Sequence, residues 1–269
     1  MKNDIRKYVL IAFSWTWALW LTSLGVALLQ NKELSTSMVI FDLLAWKGDV
    51  EHSLVVQVLF ALGVFGPLVG YVAMKAYRPL LGKPSWLTIG LTIGVPLISL
   101  LPALILSILV VTPNSGLSIS AAWLTIVAYF VSNLITSGTE EFGWRGYLYP
   151  ALKKIEKDFW RVSLKGGIIW AIWHLPLMFI LYWSLGLAIV GILAGFVASI
   201  VAMSYITNVV YEKSNSLILT MLLHALNNTA TFALVLLFPE TPFVIIVALM
   251  AWVIVAILEK SVVKRTIEV

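Results

Sequence analysis

Long apolar runs are the feature of this sequence that most restricts how it can fold. Runs of about 18 or more apolar residues recur along the chain, and each is long enough to cross about 30 Å of hydrocarbon as a helix. The runs show no alternation of apolar and polar residues, which argues against membrane-spanning strands. The sequence therefore predicts an all-α, polytopic membrane protein, a bundle of about eight transmembrane helices. The predicted spans are Tyr8–Leu29, Leu54–Met74, Trp86–Val111, Ser118–Thr139 with a continuation through the acidic residues that follow it, Gly166–Tyr182, Leu185–Asn208, Leu217–Phe238 and Pro242–Leu258.

Composition and charge agree with this interpretation. The chain is 61% hydrophobic and 12% charged, with a mean hydropathy of +0.98, far from the balance of a soluble domain. If the N-terminus is cytoplasmic, 15 of the 18 Lys and Arg residues fall in segments on the cytoplasmic side of the membrane. Lys32 and Lys47 fall on the external side, and Arg145 lies within the bundle. The positive-inside rule then predicts that both termini are cytoplasmic. We expect the protein to be an integral, multi-pass protein of the cell membrane. Because the basic residues are dispersed at helix ends, we expect membrane lipids and no nucleic acid among its partners.

The organisation of the chain predicts one transmembrane domain over residues 1–269. Lys2, Arg6 and Lys7 precede the first apolar run, as in a signal peptide, but a run of about 22 residues without a small-residue cleavage site predicts a retained span. In the longest loop, an apolar patch at 38–46 is expected to lie along the membrane interface as a short helix. The absence of cysteine excludes disulfides and thiolate metal sites.

Glu140, Glu141 and Arg145 stand out because long stretches around them, 114–139 and 166–211, contain no Asp, Glu, Lys or Arg. Ionisable groups at membrane depth are costly and by default mark a functional site. Glu141 and Arg145 are four residues apart and can pair on one helix face, whereas Glu140 points about 100° away. A purely structural ion pair is the alternative, but the second acid beside the pair favours a functional site.

Two further polar motifs lie in later apolar runs. Trp170 and His174 are spaced i and i+4, as are His224 and Asn228, so each pair shares a helix face. Taken alone, each histidine has an ordinary alternative as a packed, hydrogen-bonding group between membrane helices. All three motifs, however, lie 9 to 12 residues from the nearest basic residues at helix ends, or roughly 14–18 Å deep. Three spans therefore bring polar residues to one level of the bilayer.

In order along the chain, the pattern EExxxR, aromatic-xxx-H and HxxxN resembles the CAAX-protease and bacteriocin-processing family of intramembrane endopeptidases, which includes the eukaryotic prenyl-protein endopeptidase. The resemblance covers about residues 119–238, which we predict to be the catalytic core. Many members have Phe or Tyr in place of Trp170, a difference that we expect to affect packing rather than proton chemistry.

This resemblance implies hydrolysis of a peptide bond by a glutamate-activated water, without a cofactor. We expect Glu140 to act as general base and then as acid, with His174 holding the water. His224 and Asn228 are expected to donate hydrogen bonds to the developing oxyanion. Glu141, Arg145 and Trp170 are expected to support these catalytic residues. The implied substrate is a membrane-associated or lipidated peptide or protein, including prenylated ones.

Two alternatives stay open at the level of the sequence. The first is a zinc-dependent membrane protease with Glu140, His174 and His224 as ligands, since two histidines and a carboxylate form a known catalytic set. No HExxH motif occurs, and Asn228 is a poor zinc ligand but a good oxyanion donor. The second is a non-enzymatic bacteriocin-immunity or transport protein, because buried ionisable groups also build proton and substrate pathways.

Overall fold

The computed structural model of the chain describes residues 2–32, 34, 53–113 and 115–260. The apolar patch predicted at the interface, 38–46, and the basic residues Lys47, Lys264 and Arg265 lie outside the described residues. The described residues form helices and no strands, which confirms the predicted all-α class. The α-helices are α1 Lys2–Gln30, α2 Leu54–Gly63, α3 Gly66–Ala73, α4 Trp86–Val110, α5 Ile119–Ile135, α6 Glu140–Gly143, α7 Tyr149–Ile155, α8 Phe159–Trp173, α9 Leu175–Tyr182, α10 Ala188–Ser214, α11 Leu217–Leu237 and α12 Val244–Leu258.

The helices are long and apolar enough for a polytopic membrane protein. Within the described ranges, five helices can cross a bilayer, or up to seven if each of two bent pairs, α2 with α3 and α8 with α9, is one span. The remaining predicted span, α12, has 15 residues and is a shorter apolar helix. The polytopic class is confirmed, whereas the count of eight spans and the cytoplasmic placement of the termini stay predictions.

Both bent spans break where the sequence weakens a helix. α8 and α9 meet at 49° around His174, and Pro176 follows in the first turn of α9, where its missing N–H costs least. α2 and α3 also meet at 49°, between Gly63 and Gly66. A Cβ atom on Gly63 would lie 2.4 Å from the Trp20 ring of α1, so only glycine permits this close approach.

The first helix is packed against both broken spans. α1 lies along α2 and α3, and it also contacts α9. The Trp17 indole donates a hydrogen bond to the Trp173 carbonyl at 3.0 Å, and the Trp173 indole donates to the Thr16 hydroxyl at 2.8 Å. These bonds anchor the end of α8 immediately before His174. The break that presents this histidine is therefore held by a helix far away in the sequence.

Candidate active site

The EEFGWRG segment lies in an irregular part of a long helical stretch. α5 ends at Ile135, a 3₁₀ turn covers Ser137–Thr139, and a π-helical turn covers Trp144–Leu148 after the short α6. π-Helical turns are rare and occur often at functional sites. A Cβ atom on Gly143 would lie 2.3 Å from Tyr8 Oη and 2.5 Å from the Pro67 carbonyl oxygen. This glycine therefore allows α1 and α3 to pack directly against the acidic motif.

Glu140 is buried, with 3% of its surface exposed, and two tryptophans hold one of its carboxylate oxygens. Trp144 Nε1 donates to Oε2 at 3.0 Å, and Trp170 Nε1 donates to the same oxygen at 3.1 Å. Neither indole N–H donates a hydrogen bond to Oε1. The two donors fix the orientation of the carboxylate and leave Oε1 as the oxygen available for chemistry.

This arrangement corrects the expectation for Trp170. A phenylalanine at this position could fill space but could not donate a hydrogen bond, so the residue affects the carboxylate directly and not only the packing. Trp144 was missed in the sequence analysis. Its i, i+4 spacing from Glu140 was the available signal, because such residues lie on one helix face.

Glu141 and Arg145 form the buried pair that their spacing predicts. Arg145 Nη1 lies 3.0 Å from Glu141 Oε1, and the two residues are 1% and 0% exposed. Arg145 Nη2 also donates to the Thr207 hydroxyl and lies 3.4 Å from the Ser204 carbonyl oxygen, both on α10. The guanidinium lies 4.8 Å from the centre of the Trp170 ring. Arg145 therefore connects the acidic motif to α10 and to the second motif.

The two histidines are each held through Nδ1. His224 Nδ1 lies 3.0 Å from Glu141 Oε1, and His174 Nδ1 lies 3.0 Å from the Trp170 carbonyl oxygen. Since both partners are acceptors, Nδ1 carries the hydrogen in each ring. In a neutral ring, Nε2 is then an acceptor. A hydrogen bond to one nitrogen commonly sets the role of the other in this way.

Asn228 is oriented by another asparagine. Asn228 Nδ2 donates to Asn133 Oδ1 at 3.1 Å, while Asn133 Nδ2 donates to the Tyr129 carbonyl oxygen at 3.2 Å. Tyr129 in turn stacks on Phe232, with ring centres 3.8 Å apart and planes inclined by 3°. This α5–α11 contact fixes the Asn228 carboxamide, and it leaves one Nδ2 hydrogen that this bond does not use.

One cavity of about 390 Å³ brings the predicted catalytic residues together. Its lining includes Glu140, His174, His224 and Asn228, together with the supporting Trp170. Glu141 and Arg145 do not line it and lie behind His224 and Trp170. The arrangement combines a carboxylate, two imidazoles and a carboxamide around a space large enough for water and part of a peptide.

The predicted zinc ligands do not form a metal-binding cluster. Over the described ranges, no three His, Cys, Asp or Glu side chains are grouped so that they could hold a metal ion. Glu140, His174 and His224 share the cavity wall, but Glu140 Oε2 is already held by two N–H donors, which compete with a metal for that oxygen. The described residues therefore give no support to the zinc alternative.

Comparison with known proteins gives a family match for the segment that contains the three motifs. Residues 121–230 match the family profile described as "Type II CAAX prenyl endopeptidase Rce1-like". Over these residues the chain is similar to the Rce1-like family. The match contains all three motifs and lies within 119–238, the core predicted from the resemblance.

A curated relative agrees with this assignment. The protein named CAAX prenyl protease 2 from Methanococcus maripaludis is 33% identical over 92 residues, which cover 30% of this chain and 32% of the relative. The aligned part thus spans about a third of that relative's length. α1, whose bonds position His174, lies outside the family match.

Proposed function

We propose that this protein is an intramembrane endopeptidase of the type II CAAX class that acts without a metal ion. The observation that carries the proposal is the Glu140 carboxylate. Two indoles hold its Oε2 in a cavity that it shares with two imidazoles and a carboxamide. Carboxylates at membrane depth are functional by default, and such preorganised polar groups are typical of hydrolytic sites.

In the proposed reaction, Glu140 Oε1 and His174 Nε2 accept the two hydrogens of a water molecule. With both hydrogens held, a lone pair of the water oxygen is directed at the carbonyl carbon of the substrate. The water oxygen attacks this carbon while Glu140 takes one proton as general base. The C–N bond then breaks as Glu140 returns the proton to the amine nitrogen, and the products are an amine and a carboxylic acid, which then ionises to a carboxylate by releasing its proton to water.

His224 and Asn228 stabilise the oxyanion of the tetrahedral intermediate in this scheme. The second Nδ2 hydrogen of Asn228 is one donor. Because His224 Nδ1–H faces Glu141, His224 donates through Nε2 only as an imidazolium. Glu141 stabilises that cation, and an imidazolium together with Arg145 balances the charges of the two carboxylates. The proposed role of Glu141 is therefore to hold His224 in its donating form.

The substrates that we propose are membrane-associated proteins or peptides with lipidated, including prenylated, C-termini, and the proposed location is the cell membrane. The names of the matching family and of the relative from Methanococcus maripaludis both refer to prenyl peptidases. An apolar bundle is a suitable surface for a lipid-modified chain, since the lipid can stay in the bilayer while the peptide enters the cavity.

The proposal is tested with the purified protein in lipid nanodiscs and a farnesylated CAAX-type peptide, with the unprenylated peptide as comparison. We expect the protein to release the C-terminal fragment of the farnesylated peptide. Glu140→Gln should lower kcat by about 10²–10⁴ or abolish turnover, since only basicity is lost. The matched control is Glu240→Gln, at an exposed glutamate outside the cavity, which should cleave like the wild type. Equal cleavage by Glu140→Gln, or no cleavage of either peptide by the wild type, would overturn the proposal.

A further inference from the structure

We infer that a cationic cleft at one end of the bundle binds a phosphate-bearing anion. The cleft has a volume of about 340 Å³ and lies where the connection 74–85, the end of α7 and the end of α10 meet. This is the end of the bundle predicted to be cytoplasmic. The charged residues in its lining are Arg78, Lys153, Lys154, Lys157 and Glu212.

The cleft contains more positive charge than the protein itself neutralises. Glu212 forms an ion pair with Lys153 and accepts a hydrogen bond from Tyr149 Oη at 2.8 Å. Among the described residues, Arg78, Lys154 and Lys157 form no ion pair with a carboxylate. Three like charges in one cleft repel one another, and an anion placed between them removes this repulsion.

The fold, and not the local sequence, brings these cations together. Arg78 is separated from Lys154 by 75 intervening residues. The Lys83 amide donates to the Ser214 carbonyl oxygen, and the Ile218 amide donates to the Leu80 carbonyl oxygen at 3.0 Å. These backbone bonds fix the connection 74–85 against the α10–α11 turn, so the cleft has a defined shape.

A buried hydroxyl provides the second observation. Tyr211 lines the cleft and is 5% exposed, and its Oη has no hydrogen-bond partner in the described part of the chain. A buried hydroxyl without a partner is destabilising, and most such groups in proteins are satisfied. A phosphate oxygen, or a water bound to it, would satisfy this hydroxyl. Arginine, lysine and tyrosine donors together are suited to a phosphate group.

The phosphate can belong to a lipid headgroup or to a soluble ion, and both have the same chemistry. Basic pockets between transmembrane helices are known to bind anionic headgroups. The thermal stability of the purified full-length protein distinguishes these sources. It is measured in phosphatidylcholine nanodiscs, in nanodiscs that also contain phosphatidylglycerol, and in phosphatidylcholine nanodiscs with inorganic phosphate. We expect phosphatidylglycerol, inorganic phosphate or both to raise Tm by about 5–10 °C, as binding at saturating concentration does.

Variants connect this shift to the cleft. Arg78→Gln combined with Lys154→Gln and Lys157→Gln should abolish the Tm shift. Arg78 Nε lies 3.4 Å from the Gly146 carbonyl oxygen, so the Lys154/Lys157 double variant, which keeps this contact, serves as the second test and should lose most of the shift. Tyr211→Phe, which removes only the hydroxyl, should weaken binding several-fold.

The matched control removes three exposed cations elsewhere on the predicted cytoplasmic side, by replacing Lys2, Arg6 and Lys7 with glutamine. It should keep the full Tm shift. The inference is wrong if neither anion stabilises the wild type, or if the triple variant in the cleft responds like the wild type. It is also wrong if the control variant loses the shift to the same extent. None of these measurements depends on peptidase activity.

Discussion

Replacing Arg145 by methionine should destabilise the protein by about 3–5 kcal/mol, as is typical when one partner of a buried ion pair is removed. The structure gives the reason. Arg145 is 1% exposed, and its guanidinium contacts Glu141, Thr207 and the Ser204 carbonyl oxygen. Methionine keeps much of the apolar volume but removes the Arg145 cation from the fully buried Glu141 carboxylate, which then keeps, among the described residues, its contact with His224. Glu141 Oε2 has no partner among the described residues, so it offers no existing contact that makes up for the bond lost at Oε1.

The free energy of unfolding can be measured in mixed micelles of dodecylmaltoside with increasing sodium dodecyl sulfate, followed by circular dichroism. Lys165→Met is the control, because Lys165 forms an ion pair at 3.0 Å with its side chain 51% exposed. Exposed pairs contribute little to stability, and this variant should unfold like the wild type.

A double-mutant cycle separates the contribution of the Glu141–Arg145 ion pair to stability from the contribution of side-chain packing. In an Arg145→Met background, Glu141→Gln removes the buried carboxylate that has lost its arginine. This second substitution should recover about 1–3 kcal/mol of the free energy of unfolding. Strictly additive effects, or an Arg145 variant as stable as the Lys165 variant, would refute the reasoning that the buried pair is a stabilising unit.

Three further predictions concern activity. Trp170→Phe removes one of two donors to Glu140 Oε2 and should lower kcat by roughly 10–150-fold with little change in KM. The control, Trp183→Phe at an exposed position outside the cavity, should have no effect. Equal kcat values for the two variants would contradict the role of Trp170 in positioning Glu140. Asn228→Ala should lower kcat by about 10²–10³, as for other oxyanion donors, and an unchanged kcat would remove Asn228 from the mechanism. Prolonged treatment with a strong chelator should leave peptidase activity unchanged; complete inactivation that Zn²⁺ specifically reverses would make Glu140, His174 and His224 metal ligands.

The sequence was sufficient to predict the class of fold and that Glu140, His174, His224 and Asn228 meet at one cavity. Charge was so rare in the apolar runs that Glu140, Glu141 and Arg145 could be singled out, and i, i+4 spacing gave the Glu141–Arg145 pair. Counting residues from the helix ends predicts that the three motifs lie at one depth, because a helix rises by a constant distance per residue. This common depth stays a prediction.

Contacts between distant segments could not be predicted in this way. Nothing in the run that contains Thr207 distinguishes this threonine from other small polar residues, although its hydroxyl accepts a bond from Arg145. The role of Trp17 depends on a carbonyl 156 residues away. Spacing rules also assume a regular helix, and the π-helical turn at Trp144–Leu148 and the bends at Gly63 and His174 depart from it.

The number of spans shows the same limit. An apolar run defines where a helix can cross the membrane, but it does not say whether that helix continues or breaks. The run 54–74 forms two helices that meet at 49°, because Gly63 and Gly66 allow α1 to approach closely. Such a break depends on the partner helix as much as on the run itself.

The central claim is that Glu140 activates a water molecule directly, and single-turnover hydrolysis in H₂¹⁸O tests it. With excess enzyme and a farnesylated CAAX-type peptide, the new carboxylate of the product should carry one ¹⁸O, and peptides from the enzyme should carry none at Glu140. Glu140→Gln should bind the peptide with similar affinity and release no labelled product. Transfer of ¹⁸O to Glu140 would indicate a covalent intermediate, and labelled product from Glu140→Gln at the wild-type rate would show that another group activates the water. Either result would contradict the account.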